Sequence, residues 1–403
     1  MIQVNYSIKK LFVLRMINKK GNNERITRKK EKATPSTDVA PAKGLSLLER
    51  LQKNSTIKET SILEDSKFFD EPDPIPTQIP MINVSLSGDI DGGLISGLTV
   101  FAGPSKHFKT GFALMLAKAF MDKYPDGVIL FYDSEFGAPK SYFASFGIDT
   151  SRVLHTPLLD MEQFKFDIMH HFDSDNKEGI KRGDHVFILV DSMGNLASKK
   201  EIVDATDGKS TADMTRAKQN KSIFRMLTPH LRTKNIPMVV IQHTYKSQET
   251  YSKDVVSGGT GLYYSADNIF ILGRQQDKPA DEIIGFNFVI NVEKSRLVKE
   301  KSKFFINVTF EGGMSKWSGL MEEALDSGHV IKPKAGWYAK VDKTTGEVGK
   351  NCRLAETNSK DFWQDILDDE TFKSFVKTKY TLSSADMISD NEIDAAYEEL
   401  GDE

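Results

Sequence analysis

The stretch "LTVFAGPSKHFKTGFALMLAKAFMDKY" at residues 98–124 decides the fold. It begins as an apolar strand, passes through a loop and continues with helical periodicity. Within the loop, Gly103 is followed by four residues and then by Phe108, Lys109 and Thr110. This pattern fits the phosphate-binding motif G-x-x-x-x-G-K-[ST] except at the second glycine. A loop between a strand and a helix is where backbone N–H groups can surround a phosphate, so the sequence predicts a nucleotide site here.

The departure from the motif is Phe108. A glycine at this position could be needed for a positive φ or only for its lack of bulk, and phenylalanine is rarely found at positive φ. We therefore predict helical backbone angles for Phe108 and a ring that points away from the phosphates. On this reasoning a positive φ would argue against a hydrolase. The alternative is a core phenylalanine in an ordinary strand-to-helix turn.

Carboxylates end two further apolar runs. "VFILVDS" ends in Asp191, which suits a Mg²⁺ shell beside the hydroxyl of Thr110. "LFYDSEFG" contains Glu135, which is placed to polarise an attacking water, and Asp133, which is the competing candidate. For either residue the alternative role is a cap or loop carboxylate.

The order of elements predicts an α/β fold. Strands that are apolar throughout alternate with helical segments, which is typical of a mostly parallel sheet covered on both faces. Three later runs, "NIFILGRQ", "FNFVINVEKSR" and "FFINVTFEGG", follow one another without helices and predict an antiparallel extension.

Composition narrows the class of protein. The chain has 403 residues and a net charge of −3, but residues 1–45 carry eleven Lys/Arg against three acids, and residues 381–403 carry eight acids and no base. A basic arm with an acidic tail indicates a protein that handles a polyanion and limits access to it; the alternative is two solvated ends. The single cysteine, Cys352, excludes an intramolecular disulfide and a cysteine-based metal site. We expect no membrane span and no secretory signal, which fits the cytoplasm.

Seven motifs in order resemble one family. They are "GPSKHFKT", "FYDSEFG", "VFILVDSMGNLASKKE", "DMTRAK", "VVIQHTY", "SGGTGLYYSAD" and "NVEKSR". From about Gly44 to the C-terminus the chain is similar to the RecA-class DNA strand-exchange recombinases, and most closely to the tailed-phage branch, in which the phosphate loop also carries a phenylalanine before the lysine. Residues 1–43 lie outside the resemblance, and their composition predicts a disordered basic arm. The resemblance implies an N-terminal oligomerisation segment (44–80), a RecA-like P-loop ATPase core (81–315), a small C-terminal α/β domain (316–380) and an acidic tail (381–403). If the source is a phage, the expected location is the cytoplasm of the host cell.

The resemblance also implies roles in an ATP and Mg²⁺ site. Lys109 is expected to neutralise the phosphates, Glu135 to act as the general base, and Thr110 and Asp191 to bind the metal. Tyr142 is expected to stack on adenine, and His243 to sense the γ-phosphate, with Gln242 as the other candidate. Lys294 and Arg296 would reach the ATP of the neighbouring subunit. The nucleotide-binding residues so implied are Gly103, Pro104, Ser105, Lys106, His107, Phe108, Lys109, Thr110, Gly111, Tyr142, Asp191 and His243.

The resemblance implies that two segments, about residues 196–213 and 245–262, bind DNA; without it, ordinary mobile loops would be the favoured interpretation. Lysines supply sequence-independent attraction to phosphates, and glycines allow close approach of the backbone. The expected DNA-binding residues are Lys199, Lys200, Lys209, Arg216, Lys246, Lys253, Gly258 and Gly259.

The function expected from the resemblance is that of an ATP-dependent recombinase. It would form helical filaments of many copies on single-stranded DNA and exchange strands with double-stranded DNA, helped by a single-strand-binding protein and a mediator. Two alternatives are a ring helicase with the same core, which should also carry a primase- or loader-binding domain, and a non-catalytic paralogue, which the presence of Lys109, Glu135 and Asp191 argues against.

Overall fold

The computed structural model describes residues 46–57, 59–66, 73–173, 175–209, 215–247, 252–278 and 282–382. The predicted basic arm lies outside the described residues, as does the acidic tail from residue 383 onward. The chain divides into two compact units, residues 1–66 and 67–403. The first unit contains helix α1, Leu47–Asn54. Ser46 and Glu49 form a capping box at its start.

A nine-stranded sheet organises the second unit. Its spatial order is β11-β10-β9-β8-β1-β5-β4-β2-β3. The six strands from β8 to β3 pair in parallel, whereas β9, β10 and β11 pair antiparallel. The mostly parallel sheet and its antiparallel extension are therefore confirmed. The strands are β1 (Gly97–Ala102), β2 (Val128–Asp133), β3 (Val153–Pro157), β4 (Val186–Asp191), β5 (Pro237–Gln242), β8 (Asn268–Asp277), β9 (Gly285–Ser295), β10 (Lys303–Thr309) and β11 (Gly313–Met314).

Helices cover both faces of the sheet. Alternate residues of the central strands enter two separate apolar cores, as expected for strands that are buried on both sides. One core contains α3, and the other contains α5 and α7. The helices are α2 (Pro80–Ser87), α3 (Lys109–Lys123), α4 (Lys140–Ser145), α5 (Met161–Phe172), α6 (Lys199–Thr206), α7 (Thr215–Thr233) and α8 (Gly259–Ser265).

The C-terminal region combines a small sheet with three helices. Strands β12 (Val330–Lys334), β13 (Trp337–Lys340) and β14 (Cys352–Arg353) form one antiparallel sheet. Helices α9 (Leu320–Asp326), α10 (Lys360–Asp368) and α11 (Glu370–Tyr380) belong to the same region. Buried residues of these helices, such as Trp363 and Phe372, join the core that contains α3.

No helix in the described part of the chain is long and apolar enough to cross a membrane. The described residues also contain no group of three or more His, Cys, Asp or Glu side chains that could hold a metal ion by themselves.

Candidate nucleotide-binding site and DNA-facing segments

The loop between β1 and α3 surrounds the side chain of Lys109. Its Nζ donates hydrogen bonds to the carbonyl oxygens of Gly103 (3.1 Å) and Pro104 (2.9 Å). Burial lowers the pKa of Lys109, while the carboxylates of Glu135 and Asp191 act in the opposite direction. The loop therefore holds a buried cation at the start of α3, where the helix terminus also favours an anion.

The prediction for the backbone of Phe108 is wrong. Its φ is 59° and its ψ is 23°, which is left-handed. The ring stacks on Phe288 at 5.3 Å and lies 5.6 Å from Phe112; its direction relative to bound phosphates stays a prediction. A left-handed backbone conformation costs a residue other than glycine about 1–3 kcal/mol. The aromatic contacts of the Phe108 ring offset this strain. A positive φ does not argue against nucleotide binding, because it is the conformation that a glycine would supply.

Gly111 supplies the space for this ring. A Cβ at position 111 would lie 2.5 Å from Cε1 and Cζ of Phe108. Thus the bulk at position 108 requires a glycine one helical turn later.

The predicted metal ligands Thr110 and Asp191 are in contact. The Thr110 hydroxyl donates to Oδ2 of Asp191 at 2.7 Å, whereas the buried Oδ1 has no hydrogen-bond partner among the described residues. Burial raises the pKa of Asp191 to about 6. The hydrogen bond from Thr110 lowers this pKa, whereas the nearby carboxylates of Glu135 and Asp133 raise it further. An orphaned carboxylate oxygen beside a hydroxyl fits a hard cation such as Mg²⁺, which binds few protein oxygens and completes its shell with phosphate and water.

Glu135 is held at the same edge of the sheet. Its Oε1 accepts a hydrogen bond from the Ser192 hydroxyl at 2.6 Å and lies 3.1 Å from Nε2 of His243. Ser192 is fully buried and was not predicted, although its position directly after Asp191 was a usable signal. Asp133 instead accepts the backbone N–H groups of Glu135 (3.0 Å) and Phe136 (2.8 Å). Asp133 thus holds the turn after β2 and does not line the cavity, whereas Glu135 does.

Glu135 and His243 line a cavity of about 290 Å³ together with residues of the phosphate loop and Asp191. Tyr142 borders it and meets Phe146 edge-on at 5.3 Å. Burial raises the pKa of Tyr142. Two lining residues, Gly137 and Ile241, were not predicted. The lining residues are Ser105, Lys106, His107, Phe108, Lys109, Thr110, Gly111, Glu135, Gly137, Tyr142, Asp191, Ile241 and His243.

Lys294 and Arg296 do not line this cavity. Nζ of Lys294 donates to the carbonyl oxygens of Tyr263 (2.7 Å) and Tyr264 (3.3 Å), and burial lowers its pKa. The guanidinium of Arg296 forms an ion pair with the buried carboxylate of Asp267. Neither cation therefore reaches the nucleotide site of its own chain.

Several known proteins are similar to this chain in amino-acid sequence. The recombination and repair protein of Enterobacteria phage T4 is 49% identical over 359 residues, which is 88% of this chain and 90% of that protein. The chain belongs to the RecA-class recombinases. Residues 317–376 match the family model of the C-terminal domain of the bacteriophage T4 recombination and repair protein. Protein RecA of Clostridioides difficile is 25% identical over 70% of this chain and 78% of its own length, and that of Xanthomonas euvesicatoria pv. vesicatoria is 26% identical over 69% and 78%.

The two expected DNA-binding segments of this recombinase are more regular than loops. Residues 199–206 form helix α6, and β6 (Thr244–Lys246) pairs antiparallel with β7 (Asp254–Val256). Residues 210–214 and 248–251 lie outside the described residues.

Acidic neighbours accompany several of the expected DNA-binding cations. Lys200 pairs with Asp204, Lys209 with Asp207 at 2.8 Å, and Lys246 with Asp254 at 3.0 Å. The guanidinium of Arg216 donates to the carbonyl of Gly194. The backbone N–H groups of Lys199 and Lys253 donate to Glu162 and Ser247. Exposed pairs of this kind are weak, so a polyanion can displace these acids at low cost.

The two glycines expected to bind DNA differ. Both have positive φ, +101° for Gly258 and +75° for Gly259. A Cβ at Gly258 would lie 2.7 Å from Nε2 of Gln242, whereas a Cβ at Gly259 would meet nothing within 4 Å. Gly258 is thus required by packing inside the protein, and Gly259 faces open space.

Proposed function

We propose that this recombinase hydrolyses ATP with Mg²⁺ when bound to DNA. It assembles as a helical polymer on single-stranded DNA, pairs that strand with homologous double-stranded DNA and exchanges strands in recombination, repair and recombination-dependent replication. A single-strand-binding protein and a recombination mediator would assist assembly. The observation that carries this proposal is the contact between Thr110 and Asp191 beside Lys109 and Glu135, in a chain 49% identical to a phage recombination and repair protein.

The residues around the cavity suit phosphoryl transfer to water. Lys109, released from the carbonyls of Gly103 and Pro104, neutralises the phosphate oxygens as the loop N–H groups orient them. Thr110 and Asp191 would hold Mg²⁺, which supplies electrostatic stabilisation of the transferring phosphoryl group. Glu135 takes the proton of the attacking water. Tyr142, which borders the cavity, would stack on the adenine.

Two cations outside the cavity, Lys294 and Arg296, would link copies of the chain to one another. We infer that Lys294 and Arg296 act on the ATP of the adjacent copy, because both are bound within their own chain away from its cavity. Such a contact is head-to-tail and builds a helix when it does not close. ATP bound between copies would then favour the assembled state, and hydrolysis would loosen it.

The test is ATPase activity with and without single-stranded DNA, together with strand exchange, in the wild type and in Lys109→Ala. We expect DNA-stimulated turnover that requires Mg²⁺, and loss of both activities in the variant. Lys316→Ala is a matched control, because this lysine lies over the Trp317 ring, away from the cavity. Full activity in Lys109→Ala would refute the site assignment.

The ring helicase is not favoured, because the related proteins are recombination proteins and RecA proteins. Electron microscopy with ATP and single-stranded DNA separates the two functions. We expect open helical filaments, and closed rings would contradict the proposal.

A further inference from the structure

Asp267 lies buried directly before β8 and is bound to β1 by both its backbone and its side chain. Its backbone N–H donates to the carbonyl oxygen of Leu98 at 2.8 Å, and its Oδ2 accepts the N–H of Leu98 at 2.8 Å. The side chain of Asp267 is 3% exposed. A carboxylate so far removed from water needs a cation beside it.

Two arginines meet the other oxygen of this carboxylate. Nη2 of Arg232, in the last turn of α7, lies 2.5 Å from Oδ1, and Nε of Arg296 forms an ion pair with the same oxygen. These pairs rest on charge rather than on directional bonds, because Oδ1 has no hydrogen-bond partner in the described part of the chain. One cation neutralises one carboxylate, and two cations at one oxygen repel each other. One of the two arginines is therefore in excess.

The two arginines differ in how firmly they are held. A Cβ at Gly97, the first residue of β1, would lie 3.0 Å from Cζ of Arg232, so the backbone packs on this guanidinium. The side chain of Arg232 is 36% exposed, whereas that of Arg296 is 58% exposed. Arg296 is therefore the cation that can leave, and Arg232 is the one that stays.

The backbone that carries Arg296 is anchored. Ser295, the last residue of β9, is buried, and its hydroxyl donates to Oδ1 of Asn268 at 2.8 Å. The oxygen of this hydroxyl accepts the N–H groups of Leu297 (3.2 Å) and Val298 (3.1 Å). A change of partner for Arg296 therefore needs only a new rotamer of its side chain.

We propose that Asp267 is a positioning residue that holds Arg296 in the unassembled chain, and that Arg232 remains as its counter-ion when Arg296 moves to the ATP of the adjacent copy. The carboxylate and the phosphate are alternative partners for one guanidinium. Because Arg232 stays, the exchange leaves no buried carboxylate without a cation. This inference rests on the proposed function, in which Arg296 acts on a neighbouring nucleotide.

Urea unfolding of the chain without nucleotide tests the excess of cations. Arg296→Met should leave the urea midpoint near that of the wild type, because Arg232 still neutralises Asp267. Adding Arg232→Met should then lower the midpoint by more than Arg232→Met does alone, since the buried carboxylate has lost both arginines. With Asp267→Asn the same two changes should be additive. Additive effects with Asp267 intact would overturn the proposal.

A combined variant that does not fold is also informative. If Arg232→Met with Arg296→Met shows no folded circular dichroism spectrum, adding Asp267→Asn should restore the fold, because the uncompensated charge is then gone. Failure of Asp267→Asn to restore it would overturn the proposal.

Assembly tests the exchange itself. Light scattering with ATP, Mg²⁺ and single-stranded DNA gives the protein concentration at which half of the chains have assembled. Asp267→Asn, which keeps an acceptor for the N–H of Leu98, releases Arg296 and should lower this concentration severalfold. Arg232→Met should raise it about tenfold or more, because Arg296 must then stay with the buried carboxylate.

Two comparisons separate this effect from a general loss of structure. Arg225→Met removes an exposed arginine about two turns earlier on α7 and should stay within about twofold of the wild type. In the Asp267→Asn background, Arg232→Met should no longer raise the concentration, because no buried charge retains Arg296. An equal rise in both backgrounds would overturn the proposal.

The proposed function and this inference fail in different ways. If the wild type does not assemble on single-stranded DNA with ATP, or if Arg296→Met assembles and hydrolyses ATP as the wild type does, the proposed role of Arg296 is wrong and the inference falls with it. If Arg296→Met is impaired but Arg232→Met assembles as the wild type does, only the inference about Asp267 is wrong.

Discussion

Replacing Gly111 by alanine tests the account of the phosphate loop directly, because it adds one methyl group where the Phe108 ring lies. A Cβ at position 111 would be 2.5 Å from the ring. Inserting a methyl group into a packed site costs about 1–3 kcal/mol, whereas alanine is favoured over glycine in a helix by about 1 kcal/mol. We therefore expect Gly111→Ala to destabilise the protein by up to about 2 kcal/mol.

The same change should have the opposite sign when the ring is absent. Phe108→Gly relieves the left-handed strain of about 1–3 kcal/mol but loses the packing against Phe288 and Phe112. In this background Gly111→Ala meets no ring and should stabilise by up to about 1 kcal/mol. The coupling between the two positions is then about 1–3 kcal/mol, within the range of residues in contact.

The assay is urea unfolding of the four proteins without nucleotide or DNA, followed by the fluorescence of the three tryptophans. Gly137→Ala is the control, since it also changes a glycine of the cavity, but a Cβ there would meet nothing within 4 Å. Its free energy of unfolding should stay within about 0.5 kcal/mol of the wild type. An equal cost of Gly111→Ala in both backgrounds would refute the reasoning.

Three further predictions concern the carboxylates and the subunit contact. Asp191→Asn should stabilise the nucleotide-free protein by up to about 3 kcal/mol above pH 6, because a pKa raised to about 6 from 3.8 penalises the ionised form of Asp191. This gain in the free energy of unfolding should shrink as the pH falls from 6 to about 4. Equal gains in urea unfolding at these two pH values would contradict the prediction. Asp133→Asn keeps an acceptor for the backbone N–H groups of the turn and should leave the rate of ATP turnover within about threefold of the wild type. Glu135→Gln should lower this rate about 10²–10⁴-fold. Similar losses in the two variants would show that the base is not Glu135 alone. In an equimolar mixture of Lys109→Ala and Arg296→Ala, about a quarter of the subunit interfaces should regain ATPase activity. At these interfaces the Arg296→Ala chain supplies an intact phosphate loop and the Lys109→Ala chain supplies an intact Arg296. An inactive mixture would mean that Arg296 acts within its own chain.

The parallel sheet was predictable because its strands are buried on both faces. Such strands are apolar at every position, and β1, β4 and β5 show this in the sequence without any long-range information. The carboxyl ends of parallel strands meet at one edge, so the convergence of Thr110 and Asp191 also followed from local patterns. Helix α2 was not predicted, because its first residue, Pro80, ends the proline-rich run "EPDPIPTQIP" at residues 71–80, which is typical of an extended chain.

The DNA-facing segments were less predictable, because their geometry depends on contacts between residues distant in sequence. The glycines of "SGGTG" have the composition of a flexible phosphate-binding loop. The structure separates them: Gly258 packs on Gln242, Gly261 packs on the backbone of Lys221, and Gly259 is free of such contacts. No property of the local sequence distinguishes these three positions, since a glycine gives no sign of which atom lies where its Cβ would be.

The phosphate loop shows the same limitation within a few residues. A glycine at position 108 would meet two requirements at once: it can adopt a left-handed backbone conformation, and it has no side chain to collide with the first turn of helix α3. In this chain the two requirements are met by different residues: Phe108 adopts the left-handed conformation, and Gly111 provides the room. The prediction of helical angles failed because it treated glycine as the only way to satisfy both. Because aromatic packing can offset backbone strain of the size found here, an odd residue in such a motif should be weighed together with the glycine that lies one helical turn beyond it.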